Sequence, residues 1–392
     1  MGKDVERLPQ IKQFREWFEK RHEYAKEWKK KNGGKVIGYY CTYCPEEIFY
    51  AAGVLPVRIL GSHEPESITR PYLHDMYCPF CHDTLAQGLQ GRYDYLDGVM
   101  LAQSCLHMRQ AYFSFADRVP NIEWSYYMPF PHGVNNPYAV EYTKAEFEKF
   151  KASVEEWTGT TITNKELDEA IEVYNKNREL MMKVFELRKA ENPPITGLHA
   201  MEMVVSSQMV DKREHNEVLE SFLEDLKDVE PNRETGTRLM LIGSEDDDRS
   251  FLEMIEHGIN YPATFVYEEN CTGARYFWDL VRPEEDRLMA LAKRYVYRVP
   301  CPAKDWAVGR LFRRRFDHIE EIIKDYNVQG AIIAQMKFCD PHELDIPSLR
   351  KLFEQYNVKH LTLELDITQP IGQFRTRVEA FLEAMGEEDL FF

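Results

Sequence analysis

Residues 237–271 read TRLMLIGSEDDDRSFLEMIEHGINYPATFVYEENC. Two apolar runs, RLMLIGS (238–244) and ATFVYEENC (263–271), flank DDRSFLEMIEHG (247–258), whose apolar residues recur at helical spacing. A strand, a helix and a second strand in that order call for a crossover connection, which makes the two strands parallel. The same alternation recurs outward from this stretch. KVIGYYC (35–41), DGVMLAQSC (97–105), GAIIAQMKFC (330–339) and HLTLELD (360–366) read as strands. EEIFYAAG (46–53) and RFDHIEEIIKDYN (315–327) read as helices. The strands form two sets, about 35–130 and about 235–392, separated by a charged stretch that is helical throughout. The expected fold is α/β, with two doubly wound parallel-sheet domains joined by a helical segment. The boundaries expected are 1–140 for an N-terminal helix and the first α/β domain, 141–232 for the helical connection and 233–392 for the second α/β domain.

At 392 residues the chain can bury more than one ordinary core, and 44% hydrophobic with 29% charged residues is a globular composition. The formal charge of −17 argues against non-specific binding to nucleic acid, which needs a surplus of Lys and Arg. A basic run, GRLFRRRF (309–316), reads either as a solvated helix face or as a site for an anionic tail. The opening stretch has no apolar signal-peptide core and no segment has the uninterrupted apolar length of a membrane span, so a cytoplasmic protein is expected, with no membrane partner. No phosphate-binding G-x-x-x-x-G-K-[ST] motif occurs, so any coupling to ATP must come from another protein.

Eight cysteines in a reducing compartment are packing thiols or ligands rather than a disulfide framework. In open parallel sheets, ligand sites collect outside the carboxyl ends of the strands. Cys41, Cys105, Cys271 and Cys339 each follow a predicted strand, and Cys301 follows RYVYRVP, read as a further strand end. Cys78 precedes the helical run HDTLAQGLQG, where the helix N-terminus stabilises a thiolate. Two Cys-x-x-Cys pairs, Cys41 with Cys44 and Cys78 with Cys81, leave zinc and a redox disulfide as alternatives. Each pair interrupts a strand-to-helix junction instead of sitting in a small ribbon, so iron–sulfur ligation from dispersed loops fits best.

CTYCPEEIFYAAGVLPVRILG, YCPFCHDTLAQGLQGRYDYLDGVMLAQSCLHMRQ, ENCTGARY, KFCDPHEL and GQFRTRVEAFLEAM, in that order, resemble the benzoyl-CoA reductase / 2-hydroxyacyl-CoA dehydratase family over nearly the whole chain. Within it the likeness is to the smaller catalytic-side subunit of ATP-dependent benzoyl-CoA reductases. The resemblance implies that Cys78, Cys105 and Cys339 ligate a 4Fe-4S cluster. Cys41, Cys271 and Cys301 match positions of the double-cubane members, which implies an 8Fe-9S double cubane held by six thiolates in preference to a single cubane, with Cys44 and Cys81 as bystanders. It further implies a homologous second catalytic-side subunit, a separate ATP-hydrolysing iron–sulfur activator and an aromatic acyl-CoA substrate whose ring is reduced. The alternatives are a 2-hydroxyacyl-CoA dehydratase subunit, a stand-alone double-cubane reductase and a non-catalytic electron relay. Glu47, at the family's PxE position, and His107 are the candidate proton donors. Arg375 and Arg377 are candidates for anchoring the CoA phosphates or a partner.

Overall fold

The computed structural model describes residues 5–64, 67–229, 231, 233–304 and 315–389. Among the described residues, eight strands make two separate four-stranded sheets. The first holds β1 (Val36–Tyr39), β2 (Leu55–Arg58), β3 (Gly98–Ala102) and β4 (Trp124–Met128), in the order β2-β1-β3-β4. The second holds β5 (Thr237–Gly243), β6 (Ala263–Glu269), β7 (Gly330–Met336) and β8 (Lys359–Leu365), in the order β6-β5-β7-β8. Every pairing is parallel. The α/β expectation holds, and the two sheets repeat one topology although the sequence shows no internal repeat.

β1, β3, β6 and β7 are buried along their whole length, as near-continuous apolar strands covered on both faces must be. Two strands lack a sequence signal. β2 carries Pro56 opposite Ile37 of β1. Proline donates no ladder hydrogen bond, and β2 tolerates it because it is an edge strand. β4, WSYYM, is the opposite edge and only Met128 is fully buried, so its composition is aromatic and polar. RYVYRVP is not a strand: Arg294 to Tyr297 end the helix Arg287–Tyr297, so Cys301 follows a helix. That helix buries Ala290, Leu291, Tyr295 and Val296 on one face, and this 3.6-residue period outweighs the β-branched look of its last turn.

Long helices between the sheets, Ala139–Thr158, Asn164–Glu186, Gly197–Ser207 and Lys212–Asp225, form the connection. The N-terminal helix Pro9–Glu19 packs on it through Gln10 to Ser221 and Asp225 (both 2.8 Å) and Arg15 to Glu202. Among the described residues no helix is long and apolar enough to cross a membrane.

Gly243 ends β5 with φ 144°, and a Cβ there would lie 2.0 Å from the carbonyl oxygen of Ala334 on β7. Gly243→Ala must therefore force β5 and β7 apart just where their loops begin. The expected cost is more than about 1 kcal/mol, read as a lowered denaturation midpoint.

Candidate metal centre

In each sheet the chain leaves the central pair of strands in opposite directions, and ligand sites form at such switch points. Cys41 follows β1 and Cys105 follows β3 in the first sheet. In the second sheet Glu245 follows β5, Cys339 follows β7 and Cys271 follows β6. The thiols fall into two sets through their mutual electrostatics, a trio of Cys78, Cys105 and Cys339 that Cys81 also feels, and a trio of Cys41, Cys271 and Cys301 with Cys44 beside Cys41.

The first trio is Cys78, Cys105 and Cys339, and each is the N-cap residue of a helix: Pro79–Leu89, Leu106–Arg118 and Asp340–Gln355. Three helix N-termini thus bring their partial positive charge and unpaired N–H groups to one place, which favours an anion. The Met108 amide donates to Cys105 Sγ (3.4 Å), and Cys339 Sγ lies 3.1 Å from His342 Nδ1. Burial first, and then the charge of Cys78, pushes the Cys105 and Cys339 thiols up. Cys78 goes the other way, held down by its hydrogen bond with the Cys81 thiol at 3.4 Å, with help from His107.

The second trio is Cys41, Cys271 and Cys301. Burial raises the pKa of each, Cys271 to about 11, and Cys41 feels Cys271, Cys271 feels Cys301, and Cys301 feels Cys41. Among the described residues no helix of comparable length starts at these thiols; side-chain cations surround them instead. Arg58 lowers Cys41 and Cys271, Arg275 lowers Cys271 and Cys301, and Lys304 lowers Cys41. The trios adjoin, since Cys105 feels Cys41, and Glu245 is felt by Cys105, Cys271 and Cys339 alike.

Arg58 is fully buried and bonds Glu245 at 3.1 Å, yet its Nε and Nη1 have no partner. A buried guanidinium with two unmatched donors beside the Cys41 and Cys271 thiols is costly unless an anion completes it. A thiolate-ligated iron–sulfur cluster is such an anion. Among the described residues no group of three His, Cys, Asp or Glu side chains is close enough to hold one metal ion. Cluster ligation does not require that closeness, because each thiolate of a cubane binds a different iron. The residues fit a thiolate-ligated cluster.

In both Cys-x-x-Cys turns the second amide donates to the first carbonyl, Cys44 to Cys41 (3.0 Å) and Cys81 to Cys78 (2.9 Å). The turn sends the second thiol inward: Cys44 lies against Met100 Sδ (3.1 Å) and Cys81 has no exposure at all.

Glu47 is fully buried, bonded by Arg178 and by the Tyr295 hydroxyl (2.9 Å). Burial works to raise its pKa, but Arg178 and Arg294 outweigh burial and leave Glu47 below the ordinary range, ionised. Its neighbour Glu46 has no distinguishing mark in the sequence, where two adjacent glutamates look alike. Burial pushes Glu46 above the ordinary range, and it accepts from the Tyr276 hydroxyl (3.1 Å). Tyr276 in turn receives a bond from Lys212 Nζ (2.6 Å), whose own pKa burial lowers to about 8. Of this adjacent pair, Glu46 is the one poised to carry a proton. His107 Nδ1 accepts from the Cys78 amide (3.3 Å) and its ring packs on Tyr77, which places it at the first trio. Arg375 pairs with Glu379 one turn along its own helix and Arg377 bonds the Thr362 carbonyl of β8, contacts typical of helix-surface arginines. Most of GRLFRRRF lies outside the described residues. Its Arg315 is buried between Glu269 (3.7 Å) and Asp345 (3.1 Å), not on a solvated face.

Loops from the two sheets are clasped beside this centre by Arg58 with Glu245 and by His63 with Asp247 at 2.9 Å. Burial opposes charge on His63, but Asp247 raises it to about 10. A raised histidine pKa lends stability that is complete below the ordinary value of 6.5 and is lost as pH climbs through about 10. The melting temperature of His63→Gln should therefore lie below that of the parent at pH 6 and converge with it near pH 10. An unchanged gap across that range would refute the clasp.

The family described as 2-hydroxyglutaryl-CoA dehydratase, D-component, matches residues 41–385. The (R)-phenyllactyl-CoA dehydratase beta subunit of Clostridium sporogenes is 27% identical over 375 residues, covering 95% of this chain and 97% of that one. The (R)-2-hydroxyglutaryl-CoA dehydratase beta subunit of Acidaminococcus fermentans is 26% identical over 91% of this chain and 94% of its own length. A benzoyl-CoA reductase subunit of Thauera aromatica is 24% identical over 87% and 88%. Every thiol of both trios falls within the matched span, and the chain belongs to the 2-hydroxyglutaryl-CoA dehydratase D-component family.

Proposed function

We propose that the chain is an iron–sulfur subunit of a benzoyl-CoA reductase, which reduces the ring of an aromatic acyl-CoA. The observation that carries this reading is the pair of thiol trios, one on three helix N-termini and one among buried cations, meeting at Arg58 and Glu245. Cys78, Cys105 and Cys339 would hold one cubane, and Cys41, Cys271 and Cys301 a second joined to it. The group supplies one-electron transfer at very negative potential. Arg58 completes the anion's hydrogen bonding, the buried walls exclude water, and Glu46 holds a proton that Tyr276 and Lys212 can replace. His107, beside Cys78, is a second proton donor. The relatives are each named as one subunit of a larger enzyme, which supports a homologous partner subunit here. The resemblance to ATP-dependent benzoyl-CoA reductases supports a separate ATP-hydrolysing iron–sulfur activator, to which any coupling to ATP would fall, since this chain has no phosphate-loop motif.

A second reading, 2-hydroxyacyl-CoA dehydration, is favoured by the somewhat higher identity to the phenyllactyl- and 2-hydroxyglutaryl-CoA dehydratase subunits. The complex, purified without oxygen and supplied with activator and ATP, decides between them. Electrons consumed in proportion to reduced benzoyl-CoA support the first. Reversible water loss from (R)-phenyllactyl-CoA, with no net electron uptake and no reduction of benzoyl-CoA, overturns it. Glu46→Gln should keep its iron and lose about 100-fold in turnover; full turnover would remove Glu46 from the mechanism.

A further inference from the structure

Away from the thiols, the loop that follows β5 buries an acidic side chain, Asp246, which is 1% exposed. Thr272, in the loop after β6, locks its backbone on both sides. The Thr272 hydroxyl donates to the Asp246 carbonyl (2.7 Å), and the Asp246 amide donates to the same hydroxyl (3.2 Å). The Asp248 amide then fixes carboxylate Oδ1 at 3.2 Å, while Oδ2 has no partner. Gln369 reaches the same carboxylate from the loop between β8 and the helix Ile371–Asp389. It is 7% exposed, its amide nitrogen lies 3.5 Å from Oδ1, at the far limit of a hydrogen bond, and its Oε1 also has no partner. Half a turn of the amide presents Oε1 to the carboxylate in place of the nitrogen.

Two buried oxygens without a donor are costly, and the locked backbone keeps Asp246 from turning to find one. The local charge has the same sign. Asp246, Asp247 and Asp248 are consecutive in a chain of net charge −17. Burial pushes Asp246 up to about 7 and Asp248 adds to the effect, whereas His63, which relieves it, is already paired with Asp247. A proton on Oδ2 shared with Gln369 would match both oxygens but would leave the charge of Asp248 uncompensated. A cation answers both. A donor set of one carboxylate and one carboxamide, all oxygen, selects a hard ion over zinc or iron.

We propose that Asp246 Oδ2 and Gln369 Oε1, with water in the remaining positions, bind a hard divalent cation of the Mg²⁺ or Ca²⁺ class. The ion ties together the loops that follow β5, β6 and β8. It also braces the metal centre from behind, because Asp246 is next to Glu245 and its backbone partner Thr272 is next to Cys271. The inference is independent of which acyl-CoA reaction the chain serves.

The test uses the full chain purified with its partner and without oxygen, then dialysed free of exchangeable divalent ions. Mg²⁺ and Ca²⁺ would be titrated separately by calorimetry, and the melting temperature read with each ion and with K⁺ alone. The parent should bind one Mg²⁺ or one Ca²⁺ per chain at this site and melt higher when it is filled. Asp246→Asn keeps the shape and hydrogen bonds of a protonated aspartate but not the charge. It should weaken binding at least about tenfold and abolish the rise in melting temperature, with iron content unchanged. Gln369→Leu should weaken binding likewise, and Gln369→Glu should keep it. A parent that takes up neither ion overturns the proposal. So does Asp246→Asn binding as tightly as the parent, which would place the ion elsewhere, or a parent stabilised by K⁺ alone. If Asp246→Asn does not fold, the Gln369 pair decides: leucine weak and glutamate tight supports the site, and both equal to the parent rejects it.

Discussion

Cys271→Ala, in protein purified without oxygen, is expected to lower bound iron from about eight to about four atoms per copy, with Cys301→Ala behaving alike. The reason is the separation of the thiols into two trios that draw on different supports. Cys271 and Cys301 belong to the trio surrounded by Arg58, Arg275 and Lys304, and neither touches a helix N-terminus of the other trio. Removing one leaves Cys78, Cys105 and Cys339 on their three caps, enough for a cubane with one open iron. Cys44→Ala and Cys81→Ala should retain about eight, since those thiols turn inward against Met100 and behind Cys78. Equal iron loss from Cys44→Ala and Cys271→Ala would mean that the trios are wrongly drawn.

The second large effect is expected at Glu269. This carboxylate, the last residue of β6, is fully buried and faces Arg275, Arg315 and His318. Glu269→Gln removes the one negative charge among them that is itself without exposure, leaving Asp345 as a partial substitute for Arg315 alone. Breaking a buried pair in this way costs about 3–5 kcal/mol, because a desolvated cation is left behind. The damage should also reach the metal centre. Arg275 Nη1 bonds His342 Nε2 at 2.9 Å, and His342 Nδ1 stands 3.1 Å from Cys339 Sγ, so Glu269 positions the Cys339 thiol through two intermediates. Burial acts against ionised Glu269, but Arg275 and Arg315 hold its pKa far below the ordinary carboxylate value of 4.5. A depressed carboxylate pKa gives stability that is present above that ordinary value and is lost as pH falls below it. The gap between parent and Glu269→Gln in chemical denaturation should therefore be full at pH 7 and shrink on acidification below about 4.5. A gap that widens in acid would contradict the assignment.

The fold was legible where a strand is an unbroken run of apolar or alternating residues and silent where it is not. β5, β6 and β7 announce themselves because strands covered on both faces must be apolar from end to end. β2 and β4 are sheet edges, one interrupted by Pro56 and the other alternately wet, so neither carries that signature. The ligand candidates were legible because a thiol at a strand end or helix start is a local feature of sequence. Their surroundings were not. Arg58 is one residue of an edge strand, and nothing nearby in the chain announces that Glu245, 187 positions away, meets it. The opposite states of Glu46 and Glu47 follow from Tyr276, Arg178 and Tyr295, all distant in sequence and brought to one short helix from three others, Ala274–Phe277, Asn164–Glu186 and Arg287–Tyr297.

Whether the two thiol trios hold a double cubane is decided by metal content. Iron, acid-labile sulfide and zinc would be measured per copy of this chain after anaerobic purification with its partner. A double cubane requires about eight irons with about nine sulfides and no stoichiometric zinc, and that is the expected composition. About four irons would confine the site to Cys78, Cys105 and Cys339, and stoichiometric zinc without sulfide would contradict the cluster and the reduction chemistry with it.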